Sequence, residues 1–246
     1  MDTHRHFAER HPYIFLVLMI LSIAVIQAAV LEITKLLNIA DLRFFYLASD
    51  IILAAIGAII ISGKKWWTSI GFRRARSGWH FWFFLVPLLP VFENISAGVN
   101  VTSLYDAALF FILAIMVGFF EETFFRGLML RPIALLGKWR AAIITAVVFG
   151  LMHSLNLLSG FNPGVVLVQM SYASAIGFTY AALVLRTGMI WPLMLLHFLT
   201  DFTGFMALGE LMQAQTGGPA VFISAIYVIV FAGYGIFLLW RIKPVL

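Results

Sequence analysis

The 246-residue sequence contains no cysteine, which excludes disulfides, thiolate nucleophiles and thiolate-bound metals. It is also poor in charge. Only 11% of its residues are Asp, Glu, Lys or Arg, against about 25% in an ordinary soluble domain. No stretch is polar enough to form a separate soluble domain, and there is no internal repeat or low-complexity tract. The lack of a repeat pair argues against a secondary transporter. No Ser–His or HExxH arrangement fits the apolar spans to supply a familiar nucleophile or zinc helix.

What the chain does have is apolar length. It is 63% hydrophobic, with a mean hydropathy of +1.01, so its solvent is lipid. Runs of the roughly 17–25 residues that cross a bilayer recur near 13–31, 44–62, 79–95, 107–130, 140–157, 164–185, 189–208 and 220–240. The third contains Pro87 and Pro90 and is expected to be kinked or re-entrant. The first follows Arg5 and Arg10 and is longer than a signal-peptide core of about 7–15 residues, so it reads as a retained helix. The expected fold is all-α: one polytopic membrane domain over residues 1–246 with about eight transmembrane helices.

The bases divide unevenly along this plan. Of the 16 Lys and Arg residues, all but Lys35 and Arg43 fall on one side, while Glu93, Asp106 and Glu210 fall on the other. That bias predicts both termini in the cytoplasm and accounts for the net charge of +5 without nucleic acid. Lys64-Lys65 and Arg73-Arg74-Ala75-Arg76 are expected to meet anionic head groups. Trp66, Trp67, Trp79, Trp139 and Trp191 lie near span ends, as an aromatic belt requires. The segment Gln213–Pro219 reads as an external turn.

Against this background the stretch Met116–Leu130, "MVGFFEETFFRGLML", stands out, because a charge inside a span is costly. Glu121, Glu122, Arg126, His153, His197 and Asp201 all lie within spans. Asp50 does too, nearer an outer end, and reads as structural. Glu122 and Arg126 are four residues apart, the order that favours pairing, whereas Glu121 has no base at that spacing. His197 and Asp201 share a face in the same way, and Phe149 lies one turn before His153. Counted from the nearest basic anchors, Glu121, His153 and His197 sit roughly 15–20 Å deep, near the middle of a core about 30 Å thick. Three helices therefore place a carboxylate and two imidazoles in one layer. Such a set can activate water, stabilise an oxyanion, ligate zinc through His153, His197 and Glu121, or relay protons. Spacing leaves hydrolase and transporter both open.

The three motifs together resemble one family. "EETFFR" (Glu121 to Arg126) is similar to EExxxR, "FGLMH" (Phe149 to His153) to FxxxH, and "HFLTD" (His197 to Asp201) to HxxxN/D. Their order and spacing resemble the CPBP family, also called Abi, which contains type II CAAX prenyl endopeptidases and bacteriocin-processing proteins. The resemblance covers about 107–208 well and the first two or three spans only loosely; 1–106 and 209–246 are expected to be flanking transmembrane helices. It implies an intramembrane endopeptidase acting on a peptide or protein substrate from a buried cavity, and the compact loops suggest a prokaryotic membrane. It further implies that Glu121 activates water with His153, that Glu122 and Arg126 shape the site, that His197 and Asp201 form the oxyanion side, and that Phe149 packs below His153. Asp201 departs from the prenyl-protease pattern, which usually has Asn there, and is expected either to be protonated or to orient His197 by accepting its proton. The family has been called metalloprotease, but the expectation is hydrolysis without metal, with zinc as the alternative. A non-proteolytic scaffold or immunity-type protein is the other reading.

Overall fold

The structure, a computed structural model, describes residues 6–74, 78–209 and 218–241. Arg5, Arg76, Glu210 and most of the turn at Gln213–Pro219 lie outside the described residues, as does the side chain of Trp79. No strand occurs among the described residues. Seven helices are long and apolar enough to cross a membrane. They are α1 (Pro12–Leu36), α2 (Leu42–Lys64), α4 (Leu104–Ala134), α5 (Lys138–Ser159 with its 3₁₀ end), α6 (Pro163–Thr187), α7 (Trp191–Leu208) and α8, apolar over Val221–Trp240.

The third apolar run is not one helix. It comprises 3₁₀ turns at Gly78–Phe84 and Val86–Leu88, then a nine-residue helix, α3 (Leu89–Ala97). Pro87 and Pro90 each lack an N–H and cannot extend a regular ladder through this region. The run still travels the full length of α7. Before it, Gly71 O accepts from Ile190 N at 3.1 Å and Arg73 Nε donates to Gly188 O at 2.6 Å. Near its end, Asn94 Nδ2 donates to Thr200 O at 3.0 Å, and Asn100 N to Met206 O at 2.9 Å. Among the described residues the broken segment thus runs beside seven long helices, from one end of α7 to the other.

The helix starts are written locally. Asp41 accepts from Arg43 N, and Asn162 Oδ1 from Gly164 N and Val165 N, with Pro163 in the first turn of α6. These side chains satisfy amides that have no partner inside the helix. At one end of the bundle, Arg131 pairs with Glu9 at 3.0 Å and lies 4.4 Å from the centre of the Trp66 ring. At that end too, Arg73 holds Gly188 and Arg186 donates to Leu238 O at 3.1 Å. At the other end Arg43 is clamped between Asp41 and Asp106.

In lipid, apolar burial hardly drives helix association, so close backbone approach and interhelical hydrogen bonds carry more of the packing. Glycines allow two of these close crossings. A Cβ on Gly150 in α5 would fall 1.9 Å from Ser174 Oγ and 2.6 Å from Met170 O of α6. A Cβ on Gly118 in α4 would meet Met194 O and Phe198 N of α7 at 3.1 and 3.2 Å. Polar contacts add to this: Thr179 donates to Phe231 O, and Tyr234 Oη to Phe83 O at 2.9 Å. Outward residues such as Leu36, Ile59 and Ile229 are strongly exposed, which suits a surface facing acyl chains.

Candidate functional site

The middle of α4 is wound unusually. From Glu122 to Met129, eight residues adopt π-helical turns, and all eight are buried. Such turns are rare and concentrate at functional sites. This one coincides with the EETFFR motif. Neighbouring residues on a regular helix diverge by about 100°, yet here the two adjacent glutamates flank one imidazole. Glu122 Oε1 lies 2.9 Å from His197 Nδ1, and Glu121 Oε2 lies 3.4 Å from His197 Nε2. Gly118, one turn earlier, is what allows α7 to bring His197 this close.

The two carboxylates differ in surroundings. Glu122 is fully buried, and its Oε1 also faces Arg126 Nη1 at 3.1 Å, the pairing the spacing anticipates. Neither terminal nitrogen of Arg126 has a hydrogen-bond partner. The guanidinium instead lies on aromatic faces, 4.1 Å from the Phe149 centroid and 5.4 Å from that of Tyr180. Desolvated cation–π contacts of this kind are worth about 2 kcal/mol or more. Glu121, by contrast, lines a cavity of about 230 Å³. It is not isolated, as the spacing had implied, because His197 stands opposite it.

His153 opens a 3₁₀ turn where α5 ends at Met152. Its Nδ1 is 2.8 Å from Phe149 O. A carbonyl oxygen only accepts, so Nδ1 carries the proton and Nε2 of the neutral ring is left as an acceptor. The His153 ring packs edge-on against Phe149, centroids 5.0 Å apart, and Phe149 in turn meets His197 at 6.4 Å. Asp201 Oδ2 stands 3.5 Å from His197 Nε2. The hydrogen bond that orients the His197 ring therefore comes from Glu122 on Nδ1. Asp201, expected to do so, sits beside the other nitrogen. Glu121, Arg126, Phe149, His153, His197 and Asp201 all contribute to the cavity wall, and Glu122 lies behind it.

Among the described residues, no three His, Asp or Glu side chains are disposed to hold a metal ion together. Nδ1 of His153 is taken by a carbonyl and Nδ1 of His197 by Glu122, which leaves the Nε2 of each ring without a hydrogen bond.

Several polar residues in the same wall had no place in the sequence reading. Tyr46 Oη donates to Asn156 Oδ1 at 3.0 Å, and Asn156 Nδ2 to Gln169 Oε1 at 2.9 Å. Asp50, which the sequence suggested was structural, is almost fully buried and lines the cavity too. A search of the spans for uncharged polar residues, rather than ionisable ones alone, would have found the amides.

Residues 103–203, which contain every motif residue above, match the family model described as Rce1-like: type II CAAX prenyl endopeptidase Rce1-like. Comparison with curated proteins and with solved structures gives no match.

Proposed function

We propose, from the match of residues 103–203 to the Rce1-like type II CAAX prenyl endopeptidase model, that the protein is an intramembrane endopeptidase that hydrolyses its substrate with a water activated by Glu121. The observation that carries this reading is the division of labour between adjacent glutamates. Glu122 is buried and tied to Arg126 and His197, while Glu121 presents its carboxylate to the cavity. A carboxylate held in a water-poor pocket suits general-base work.

In this mechanism Glu121 takes a proton from water as its oxygen attacks the scissile carbonyl. The unprotonated Nε2 of His153 accepts a hydrogen bond from the same water. With both nitrogens of His197 protonated, Nδ1–H donates to Glu122 and Nε2–H is directed to the oxyanion. Its distances of 3.4 and 3.5 Å to Glu121 and Asp201 are long for hydrogen bonds, so that donor is available to substrate. Asp201 then balances the charge of the ring. Collapse of the tetrahedral intermediate breaks the C–N bond, and Glu121 returns its proton to the leaving amine. No step requires a metal, and the donor arrangement around His197 favours this version.

The test is hydrolysis itself. In proteoliposomes supplied with solubilised membrane polypeptides and ¹⁸O-labelled water, wild-type protein is expected to generate new C-termini carrying the label. Glu121→Gln is expected to generate none, and a zinc chelator to leave the wild-type yield unchanged. Equal product from both proteins would refute the assignment. Loss of product with chelator, restored by zinc, would replace it with a metal mechanism.

A further inference from the structure

Asp50 lies on α2, outside the family-matched region. The residue is buried, at 3% exposure, and Oδ2 has no hydrogen-bond partner. Leaving a buried acceptor unsatisfied costs about 1–3 kcal/mol, and more if it is charged. The surrounding donors do not relieve it. Tyr46, one turn earlier, gives its hydroxyl hydrogen to Asn156, and Asn156 gives an amide hydrogen to Gln169. The ionisable groups within electrostatic reach of Asp50 include Glu121 and Asp201, both acids, His197, and the Tyr46 phenol.

The cations of the cavity are already engaged. Arg126 faces Glu122, and His197 is surrounded by Glu121, Glu122 and Asp201. Asp50 is thus a buried carboxylate in the wall of a cavity whose positive groups have other partners. The rest of the wall includes Leu113, Val117 and Phe120, which suit an apolar chain.

We propose that Asp50 forms a substrate subsite that accepts a basic side chain, so that the preferred substrate is an apolar peptide bearing one lysine or arginine close to the bond presented to Glu121. This rests on the cavity being the peptide site of the endopeptidase read above. The ammonium or guanidinium supplies the hydrogen that Oδ2 lacks and offsets the acidity of the wall. Removing both charges from water is tolerable because they arrive as a hydrogen-bonded pair. An acidic residue at the same place would add another carboxylate to that wall and is disfavoured.

The experiment is a binding measurement that needs no turnover. In Glu121→Gln protein in lipid nanodiscs, a fluorescent apolar peptide is varied by moving a single lysine through successive positions. Norleucine and glutamate replace it in parallel series. At one or two adjacent positions, lysine is expected to bind at least tenfold more tightly than norleucine, and glutamate more weakly than both. Adding Asp50→Asn should bring lysine and norleucine within about twofold. The proposal fails if no position prefers lysine, or if the preference survives Asp50→Asn. Should that double variant not fold, the glutamate series decides: glutamate binding as well as norleucine at the lysine-preferring position overturns the subsite. Lysine-selective, Asp50-dependent binding of a peptide that wild-type protein never cleaves would support the subsite while removing the protease reading.

Discussion

Glu121 and Glu122 are one peptide unit apart, and their substitutions should separate cleanly. Glu122→Gln leaves the guanidinium of Arg126 and the Nδ1 side of His197 without a carboxylate, inside a region with almost no exposure. Breaking a buried pair costs about 3–5 kcal/mol, so folded yield in detergent should fall severalfold. Glu121→Gln replaces a cavity-facing group and should match wild type in yield and thermal unfolding. The check is size-exclusion recovery of the two variants side by side; equal recoveries would contradict the division. A second residue-scale effect lies at the rim. The Arg43 guanidinium hydrogen-bonded to Asp41 holds that carboxyl below its ordinary value of 3.8. A depressed folded-state value contributes stability above the unfolded value that disappears as pH falls through the folded one. Wild-type protein should therefore lose a small increment of thermal stability below about pH 4, and Asp41→Asn should lack that increment. Both groups are partly solvated, which keeps the effect to about 1 kcal/mol or less.

At the scale of elements, the crossing of α4 with α7 is the joint on which the site depends. Gly118→Val would push Met194 O and Phe198 N away from contacts already at 3.1 and 3.2 Å for a bare Cβ. Overpacking of this kind costs about 1–3 kcal/mol, and it should widen the separation of His197 from both glutamates. The expected result is a lowered unfolding temperature with loss of cleavage greater than the loss of fold, read by activity per folded molecule. The sequence shows why this joint is only half legible. Glu122 and Arg126 announce their pairing through a spacing of four, and Pro87 and Pro90 announce the break in the third run. The π turns over Glu122–Met129 leave no such trace, because a hydrogen bond that slips from the fourth to the fifth residue changes no residue type. The position of Asp50 was equally hidden. Whether it faces lipid, a partner or the cavity depends on how α2 packs on α4, which its own helix does not encode. Asp201 was read as the partner of His197 from spacing alone, and the nearer partner, Glu122, came from another helix.

For the whole molecule, a third segment that crosses the bilayer would put the connections on its two sides at opposite faces of the membrane. Ser69 and Val99 are both exposed and lie on either side of the broken third segment. In this natively cysteine-free chain, Ser69→Cys and Val99→Cys should react with an impermeant maleimide from opposite faces of sealed vesicles. Labelling of both from one face would mean that the third segment turns back.

The broken segment also has a consequence for how the chain is made. A stretch ending in a nine-residue helix falls short of the roughly 20 residues with which a helix spans lipid unaided. The groups that satisfy it come late in the chain. Phe83 O takes its hydrogen from Tyr234, Asn94 gives one to Thr200 O, and Glu93 is met by Tyr227, each more than 100 positions downstream. When this stretch leaves the ribosome, none of those partners has been synthesised. Its stable insertion is therefore expected to wait for the C-terminal helices that receive it. A reporter fused after Asn100 in a chain that stops there should appear on both faces of the membrane, whereas the same tag placed within the complete chain should appear on one.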